Sequence, residues 1–456
     1  MRQQSLRVSS KHRTASIRTR MSIGILCLLS SVGQVALAAD GDPDSTFSSD
    51  GMRQVGFAGS YTDEDSVQVG SDAQGGVFIA TKYRSANIDG FTVLKIKPNG
   101  DNDTTFGFGG YGSVAFQSEI DELRGVFPQP DGSLVLLGVA DTNPDYYPAM
   151  AKLTANGNND SSFGDGGRLV ITQTPWVDPS LFIEAATQQA DGKFLFVGSC
   201  DCAGNNETFV LRTSANGVPD PSFGINGWAS FVGPSSVSYH AVTVDRTGRA
   251  VLAGRNGGIS SQEGVILRVT PSGALDTSFG TAGSGFIIIS EPSSSYARAI
   301  AMDSNDAMVV ALVGVGDGTF SRRTGLARFL ANGDRDLNYA GGHRDLTLEF
   351  GSEITSLQRR SDGRMVAAGW IDHTGDSGFI GRDFLIARVL PNGALDSSFD
   401  GNGLLRISLS TTRDTAEAMV LSAGKPVIAG ISEASDVKQL GVLRMQSDLV
   451  FSDGFQ

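Results

Sequence analysis

Histidine is the side chain whose chemistry would be easiest to recognise here, because it acts as acid, base and metal ligand near neutral pH. Beyond residue 38 the chain has three histidines, His240, His343 and His373. They lie far apart in the sequence, so a joint metal or acid–base site requires the fold to bring them to one place. If the fold does not do so, we expect the three histidines to be turn or surface residues. No Gly-x-Ser-x-Gly motif or P-loop is present, so the sequence predicts no catalytic residue.

Acidic residues at alternate positions indicate a second chemistry, calcium binding. The segments Asp40–Asp44 and Asn99–Asp103 each carry an acidic or amide side chain at every other position. The glycine and the distal glutamate of a calcium loop are missing from both. We therefore predict no cofactor and keep calcium as an alternative.

Aromatic and cysteine side chains offer two further chemistries. The tryptophans, Trp176, Trp228 and Trp370, would either stack on sugar rings or pack in the core. Cys200 and Cys202 are the two cysteines after residue 38. Two thiols alone make a poor metal site, so we expect a local disulfide or an unreactive pair.

The elements that position these residues come from a repeat of about 60 residues. Its main motif reads basic-x-x-x-Asn-Gly-x-x-Asp-x-x-Phe-Gly-x-x-Gly, and its aromatic recurs seven times at intervals of 56 to 60 residues. The aromatics are Phe47, Phe106, Phe163, Phe223, Phe279, Tyr339 and Phe399. The aspartates three residues earlier are Asp44, Asp103, Asp160, Asp220, Asp276, Asp336 and Asp396. The basic residues eleven positions before six of the aromatics are Lys95, Lys152, Arg212, Arg268, Arg328 and Arg388.

A residue present in every copy serves something that every copy needs, which is folding rather than one active site. The aspartate is suited to cap a turn by accepting backbone N–H bonds. The basic residue is predicted to pair with such a carboxylate, and the aromatic to fill the space between adjacent sheets.

A second motif, a turn followed by an apolar run, lies midway in each copy. Asp131-Gly132 and Asp191-Gly192 predict hairpins in which both turn residues have a positive φ. The runs that follow are continuously apolar, which is typical of strands buried on both faces. The two motifs together predict four strands in each repeat. In one copy these strands are Gly112–Phe116, Glu122–Phe127, Leu134–Gly138 and Ala149–Leu153.

Seven units of about four antiparallel strands predict an all-β fold, a single seven-bladed β-propeller over residues 40–446 with almost no helix. A solenoid is the main alternative, but the end repeats do not differ as capping repeats would. The mode of closure stays open. If the strand after each aromatic completes the preceding blade, residues 51–57 complete the last one; otherwise the first and last blades abut.

The segments from Phe384 to Phe399 and from Val265 to Gly280 resemble the delta-60 repeat, a bacterial β-propeller repeat of uncharacterised function. The resemblance covers nearly the whole chain after the leader. It implies a propeller in an extracytoplasmic setting and implies no known reaction. The sixth copy departs most, with Tyr339, Ala340 and His343 in place of Phe, Gly and Gly.

The first 38 residues predict an export signal. A basic leader precedes the apolar run Ile23–Val32 and the small-x-small sequence Ala36-Leu37-Ala38, and Met21 is an alternative start. Removing this leader leaves 30 basic and 49 acidic residues, a net charge of −19. Such an acidic protein is expected to repel nucleic acid. Residues 447–456 form a tail outside the repeats.

These observations predict a secreted or cell-envelope binding protein, monomeric and without a membrane span or evident enzymatic activity. Its partner would be a protein or a polysaccharide. Two alternatives stay open: an extracellular hydrolase or lyase acting on a polysaccharide at the channel mouth, and a purely structural surface protein.

Overall fold

The structure is a computed structural model. It describes residues 41–447 apart from 57–65, 86–87, 117–118, 143–144, 177–179, 203–205, 234–236, 258–261, 291–294, 316–321, 347, 349, 375–379 and 435–436. The predicted leader, Asp40 and the tail beyond residue 447 lie outside the described residues.

The described residues fold into 28 β-strands and two short 3₁₀ turns, at Thr281–Gly283 and Ala340–Gly342, with no α-helix among them. The strands are β1 (Met52–Val55), β2 (Gln68–Ser71), β3 (Val77–Ser85), β4 (Ile88–Ile96), β5 (Tyr111–Ala115), β6 (Glu119–Pro128), β7 (Leu134–Asp141), β8 (Tyr146–Leu153), β9 (Arg168–Val170), β10 (Ser180–Gln188), β11 (Phe194–Asp201), β12 (Asn206–Thr213), β13 (Trp228–Phe231), β14 (Val237–Val244), β15 (Ala250–Asn256), β16 (Glu263–Val269), β17 (Phe286–Ile289), β18 (Ser295–Met302), β19 (Met308–Val315), β20 (Arg322–Phe329), β21 (His343–Asp345), β22 (Ser352–Arg359), β23 (Met365–Thr374), β24 (Ile380–Val389), β25 (Leu404–Ile407), β26 (Arg413–Ser422), β27 (Lys425–Ala434) and β28 (Val437–Arg444). In the part of the chain that is described, no helix has the length and apolar character needed to cross a bilayer.

The strands pair into antiparallel units of four. Five separate sheets are β2–β5, β6–β9, β10–β13, β14–β17 and β18–β21, which we call units 1 to 5. An eight-stranded sheet contains the rest, and only the single parallel pair Arg382–Arg413 joins its two halves. Those halves are β22–β25, unit 6, and β26–β28 with β1, unit 7.

Unit 7 combines the two ends of the chain. β1 pairs antiparallel with β28, with Met52 opposite Leu443 and Val55 opposite Leu440. The strand after each aromatic therefore completes the preceding unit, which is the first of the two closure modes that the sequence left open. The pairing leaves β28 no free edge over these residues.

The middle strands match the prediction from the apolar runs. β7 and β11 are each buried at their first seven positions, on both faces. Neighbouring units bury these faces against each other, as in the cluster that combines Phe91 and Val93 of unit 1 with Leu134 and Leu136 of unit 2.

The hairpin turns differ from the prediction in one respect. Gly132 has a φ of 82°, but Asp131 is not among the residues with a positive φ. The Gly132 N–H donates to the Gln129 carbonyl, and the Gln129 N–H donates to the Ser133 carbonyl. The loop therefore has three residues and a single left-handed glycine at its end, so the expectation of two positive φ values was wrong for Asp131-Gly132 and, by the same φ pattern, for Asp191-Gly192.

The recurrent aspartate makes the same contact in every unit. One carboxylate oxygen accepts a hydrogen bond from the backbone N–H two residues on, as in Asp44 with Thr46 at 3.1 Å and Asp220 with Ser222 at 3.0 Å. The equivalent bonds at Asp103, Asp160, Asp276, Asp336 and Asp396 measure 3.0 to 3.2 Å.

The recurrent basic residue pairs with the aspartate of its own unit. Arg212 Nε lies 2.9 Å from Asp220 Oδ2, and Arg212 Nη1 donates to the Pro271 carbonyl of the next unit at 2.7 Å. Its guanidinium also lies 4.6 Å from the Phe223 ring centroid. The other five predicted pairs have N–O distances of 2.7 to 3.3 Å.

The seventh pair joins the chain ends. Arg444, at the end of β28, lies 2.8 Å from Asp44, and its guanidinium lies 4.8 Å from the Phe47 ring centroid. Sequence reasoning missed this partner, because the basic residue for the first aspartate stands 400 positions later in the chain.

Candidate ligand-binding cavity

One cavity of about 560 Å³ is lined by the first strand of every unit. Those strands are β2, β6, β10, β14, β18, β22 and β26. Because strands from all the units border the same space, the units surround it. Cavities of this size take small molecules or short segments of a polymer.

Six of these lining strands are interrupted by a β-bulge. The register with the second strand of the unit shifts at one residue, as at Glu184 between Ile183 and Ala185, and at His240 between Tyr239 and Ala241. The bulged residues that line the cavity are Arg124, Glu184, His240, Arg298, Thr355 and Glu417. A bulge re-aims a side chain, and bulges are common next to functional sites.

A glycine on the second strand makes room for most of these bulges. A Cβ atom at Gly198 would lie 1.8 Å from the Phe182 carbonyl oxygen, and one at Gly369 would lie 1.9 Å from the Glu353 oxygen. Gly138, Gly254 and Gly430 face the same kind of oxygen at 1.9 to 2.4 Å. At these five bulges the second strand therefore has a residue without a side chain, whereas Leu312 takes this position opposite the bulge at Arg298.

The bulged residues differ in type from unit to unit, unlike the recurrent aspartates. They recur at intervals of 56 to 62 residues but include two arginines, two glutamates, a histidine and a threonine. Sequence reasoning missed them. The glycine that ends each apolar run was a visible signal, but an alternating pattern places a bulged side chain on the wrong face.

One wall of the cavity carries His240, Tyr296, Arg298, Arg322 and Glu353. The Arg298 Nε donates to Glu353 Oε1 at 2.9 Å, and Arg322 donates to the other oxygen of the same carboxylate. The rings of His240 and Tyr296 are in contact, with centroids 5.3 Å apart. Burial, together with nearby arginines of which Arg298 acts most strongly, lowers the pKa of His240 to about 3, so its imidazole is neutral at neutral pH.

Beside this wall lie Glu122, Arg124 and Glu184, which share a smaller cavity with His240. Glu184 accepts hydrogen bonds of 2.6 Å from the Ser238 hydroxyl and from the Tyr239 N–H. Burial outweighs these bonds and raises the pKa of Glu184 to about 7. A carboxyl group that holds its proton near neutral pH is able to donate a hydrogen bond to a ligand as well as accept one.

The raised pKa of Glu184 predicts how stability changes with pH. The folded protein keeps a proton between about pH 4.5 and 7 that the unfolded chain releases, so this contribution to stability is full below pH 4.5 and is lost as the pH rises through 7. Glu184→Gln imitates the protonated acid. We expect the variant to be more stable than wild type at pH 8, by on the order of 2 kcal/mol, and equal to it at pH 4. Urea unfolding at both values checks this, and parallel pH profiles for the two proteins would contradict it.

A second cavity, of about 360 Å³, adjoins the first over units 2 to 4. The two share Glu122, Arg124, Glu184 and His240 among their lining residues. Phe182, which also lines the second cavity, is 56% exposed. The two cavities therefore adjoin, and the second has one exposed aromatic side chain in its lining.

The remaining histidines and the tryptophans lie elsewhere. His343 lies on β21, the outer strand of unit 5, and His373 on β23 has its Nδ1 3.2 Å from Asp383. Of the three histidines only His240 lines the cavity. Trp228 and Trp370 are buried, and Trp176 packs on Trp228 with ring centroids 5.5 Å apart, so these rings fill the core.

The calcium and disulfide predictions concern two other places. In the described part of the chain, no three acidic, histidine or cysteine side chains come together in a way that would hold a metal ion. Asp103 pairs with Lys95 at 3.3 Å. Cys200 and Cys202 are buried and joined by a disulfide, with Cα atoms 5.2 Å apart.

Three segments of the chain, residues 129–163, 189–223 and 360–399, match a family described as "Domain of unknown function (DUF5122) beta-propeller". These segments are β-propeller repeats. Each begins at or next to a hairpin turn, covers the second and third strands of a unit and ends at a recurrent aromatic. No curated protein sequence matches the chain.

The chain is also similar to solved structures at low identity. The polysaccharide lyase Uly1 has a TM-score of 0.49 and 10% identity over 86% of this chain and 91% of its own. A protein of unknown function from Dyadobacter fermentans has a TM-score of 0.42 and 11% identity, over 87% and 100%. The β-propeller domain of the Trilobed protease from Pyrococcus furiosus has a TM-score of 0.41 and 10% identity, over 86% and 99%. Likeness of this degree carries no functional argument.

Proposed function

We propose that the chain is a secreted or cell-surface binding protein, a single seven-bladed β-propeller of delta-60 repeats that takes its ligand in the central cavity. Units 1 to 7 are the blades. The division of the eight-stranded sheet at its single parallel pair, and the lining of one cavity by the first strand of every unit, support this assignment.

The observation that carries the proposal is the contrast between repeated and unrepeated residues. The repeated aspartates and basic residues pair with one another in every blade and so serve folding. The unrepeated polar residues, from Arg124 to Glu417, stand at bulges that direct them into one cavity. A protein that needed only its fold would have no reason to place six different polar and charged side chains there.

The partner is proposed to be a polysaccharide or a protein outside the cytoplasm. Two adjoining cavities with many hydrogen-bonding side chains and the exposed ring of Phe182 suit a hydroxyl-rich polymer. The acidic net charge of the chain disfavours nucleic acid.

A thermal-unfolding screen of the protein without its leader tests the proposal. The ligands are calcium with a chelator control and a panel of bacterial and plant polysaccharides. A ligand that binds only the folded state stabilises it by about 2.7 kcal/mol at a hundredfold excess over its Kd. We expect a stabilising saccharide whose effect disappears in Ala418→Trp, because Ala418 lines the cavity and is only half-buried.

Two results would contradict the proposal. A ligand that stabilises Ala418→Trp as much as wild type binds outside the cavity. No stabilising ligand in the panel or among cell-envelope proteins would favour a purely structural surface protein.

An enzyme acting on a polysaccharide is the second candidate, and one observation favours it. His240, Tyr296 and Glu184 line the same cavity, which supplies groups able to accept and donate protons. Incubation with each stabilising polysaccharide tests this, followed by assays for new reducing ends and for unsaturated products. Hydrolysis yields the first alone and a lyase both, whereas a binding protein yields neither.

A further inference from the structure

Two arginines of the cavity wall share one buried carboxylate. Glu353 is 5% exposed at its side chain, whereas Arg298 is 26% and Arg322 is 47% exposed. Each guanidinium uses one or two of its five N–H donors on this carboxylate. Both arginines line the cavity, where Glu417 also acts electrostatically on Arg298.

The arrangement leaves positive charge on a fixed scaffold. Two guanidinium groups meet one carboxylate, so the trio carries a net charge of +1. Arg322 also lies 5.9 Å from the ring centroid of the buried Trp370, which further fixes its position. Glu353 acts here as a positioning residue, because its two carboxylate oxygens each bind one of the arginines at the cavity wall.

His240 and Tyr296 complete this wall with neutral donors. Burial and the Glu353 carboxylate raise the pKa of Tyr296, so its hydroxyl keeps its proton. Burial first, and then Arg298, Arg255, Arg124 and Arg322, lower the pKa of His240 and keep its imidazole uncharged. The wall therefore offers two guanidinium groups beside a phenol and an imidazole, and the phenol and the imidazole can each donate one hydrogen bond.

We propose that Arg298 and Arg322, held by Glu353, form with Tyr296 and His240 a subsite for the carboxylate of a uronic acid residue in an acidic saccharide. This inference rests on the proposed binding function and names its ligand class. Guanidinium forks match the two oxygens of a carboxylate, and a single negative charge balances the charge of the trio. The adjoining cavity over units 2 to 4 accommodates the sugars on one side of that residue.

Calorimetric titration with oligomers of galacturonate, glucuronate and mannuronate tests the subsite. We expect at least one of these oligomers to bind. Its methyl ester, which has the same sugars without the charge, should bind at least about tenfold more weakly. A sulfated neutral oligosaccharide of equal length provides the other source of a single negative charge, and we expect it to bind more weakly than the uronate.

Arg322→Gln is the main variant, since it removes one cation while Glu353 keeps Arg298. We expect it to weaken binding of the acid about tenfold and to leave binding of the ester unchanged. Tyr296→Phe, which removes only the hydroxyl, should weaken both about threefold. Arg246→Gln is the matched control: its side chain is 65% exposed, pairs with Asp306 at a hairpin turn and does not line the cavity.

Three results would overturn the subsite: no uronate oligomer binds, the ester or the sulfated sugar binds as tightly as the acid, or Arg322→Gln binds the acid as wild type does. The proposed function fails separately. A ligand that Ala418→Trp abolishes but Arg322→Gln leaves unchanged supports cavity binding and refutes the uronate subsite alone.

Discussion

Replacing Asp44 by alanine should lower the free energy of unfolding by about 3–5 kcal/mol. Asp44 is fully buried and accepts hydrogen bonds from Arg444, Lys425 and Gln446, all of which come from the other end of the chain. The variant leaves Arg444, which is 7% exposed at its side chain, without its carboxylate. The loss is therefore that of a buried charge without a partner, at the point where the chain ends meet.

Asp103→Ala is the matched control for this prediction. Asp103 occupies the same position of its repeat and caps the same turn, but its partner Lys95 lies at 3.3 Å and both side chains are partly exposed. We expect it to lower the free energy of unfolding by about 1 kcal/mol. Urea unfolding measures both losses. Equal losses would show that the Asp44–Arg444 pair stabilises the protein no more than the Asp103–Lys95 pair does.

The pH dependence gives an independent check on Asp44. Burial alone would raise its pKa, but the bonds from Lys425, Thr46 and Arg444 outweigh it and lower the pKa to about 2. A lowered pKa contributes stability that is present above about pH 4 and is lost as the pH falls through 2. The stability difference between wild type and Asp44→Ala should therefore shrink over that range.

Gly198→Ala should lower the free energy of unfolding by about 3 kcal/mol. The new Cβ would lie 1.8 Å from the Phe182 carbonyl oxygen, and backbone cannot move aside as a side chain can. The strain is relieved only if the bulge at Glu184 changes, which moves that side chain out of the cavity. Urea unfolding measures the first effect and ligand titration the second.

Gly314→Ala is the control for the glycine prediction. Gly314 also lies near the end of the second strand of its blade, but a Cβ there would meet its nearest atom at 3.8 Å. We expect a change within about 0.5 kcal/mol and unaltered ligand binding. If Gly198→Ala is equally mild, the bulges do not depend on the glycines.

The sequence was sufficient for the parts of the fold that repeat. The period of about 60 residues, the four strands of each unit and the aspartate cap can be read from the spacing of Asp, Phe and Gly alone. These features are local, since a capped turn and a hairpin involve residues within a few positions of each other. The partner of Asp44 was missed because it is not local.

The cavity residues could not be predicted for a different reason. Glu184 and His240 belong to β-strands, in which successive side chains normally point to opposite faces of the sheet. The bulge that turns both side chains toward the cavity depends on a glycine of the neighbouring strand. Their types also differ between units, so a search for repeated residues passes over them. The histidines were a reasonable starting point, but only His240 reaches the cavity.

Labelling of single cysteines tests the central claim, that the ligand lies in the cavity, most directly. Ala186→Cys and Thr355→Cys place a thiol on β10 and on β22, in different blades that line the same space, and Phe108→Cys places one at a site that is 93% exposed outside it. We predict that a saturating ligand from the screen slows the reaction of both cavity thiols with a small methanethiosulfonate and leaves the outer thiol unaffected. Protection of only one cavity thiol, or of neither, would contradict the account.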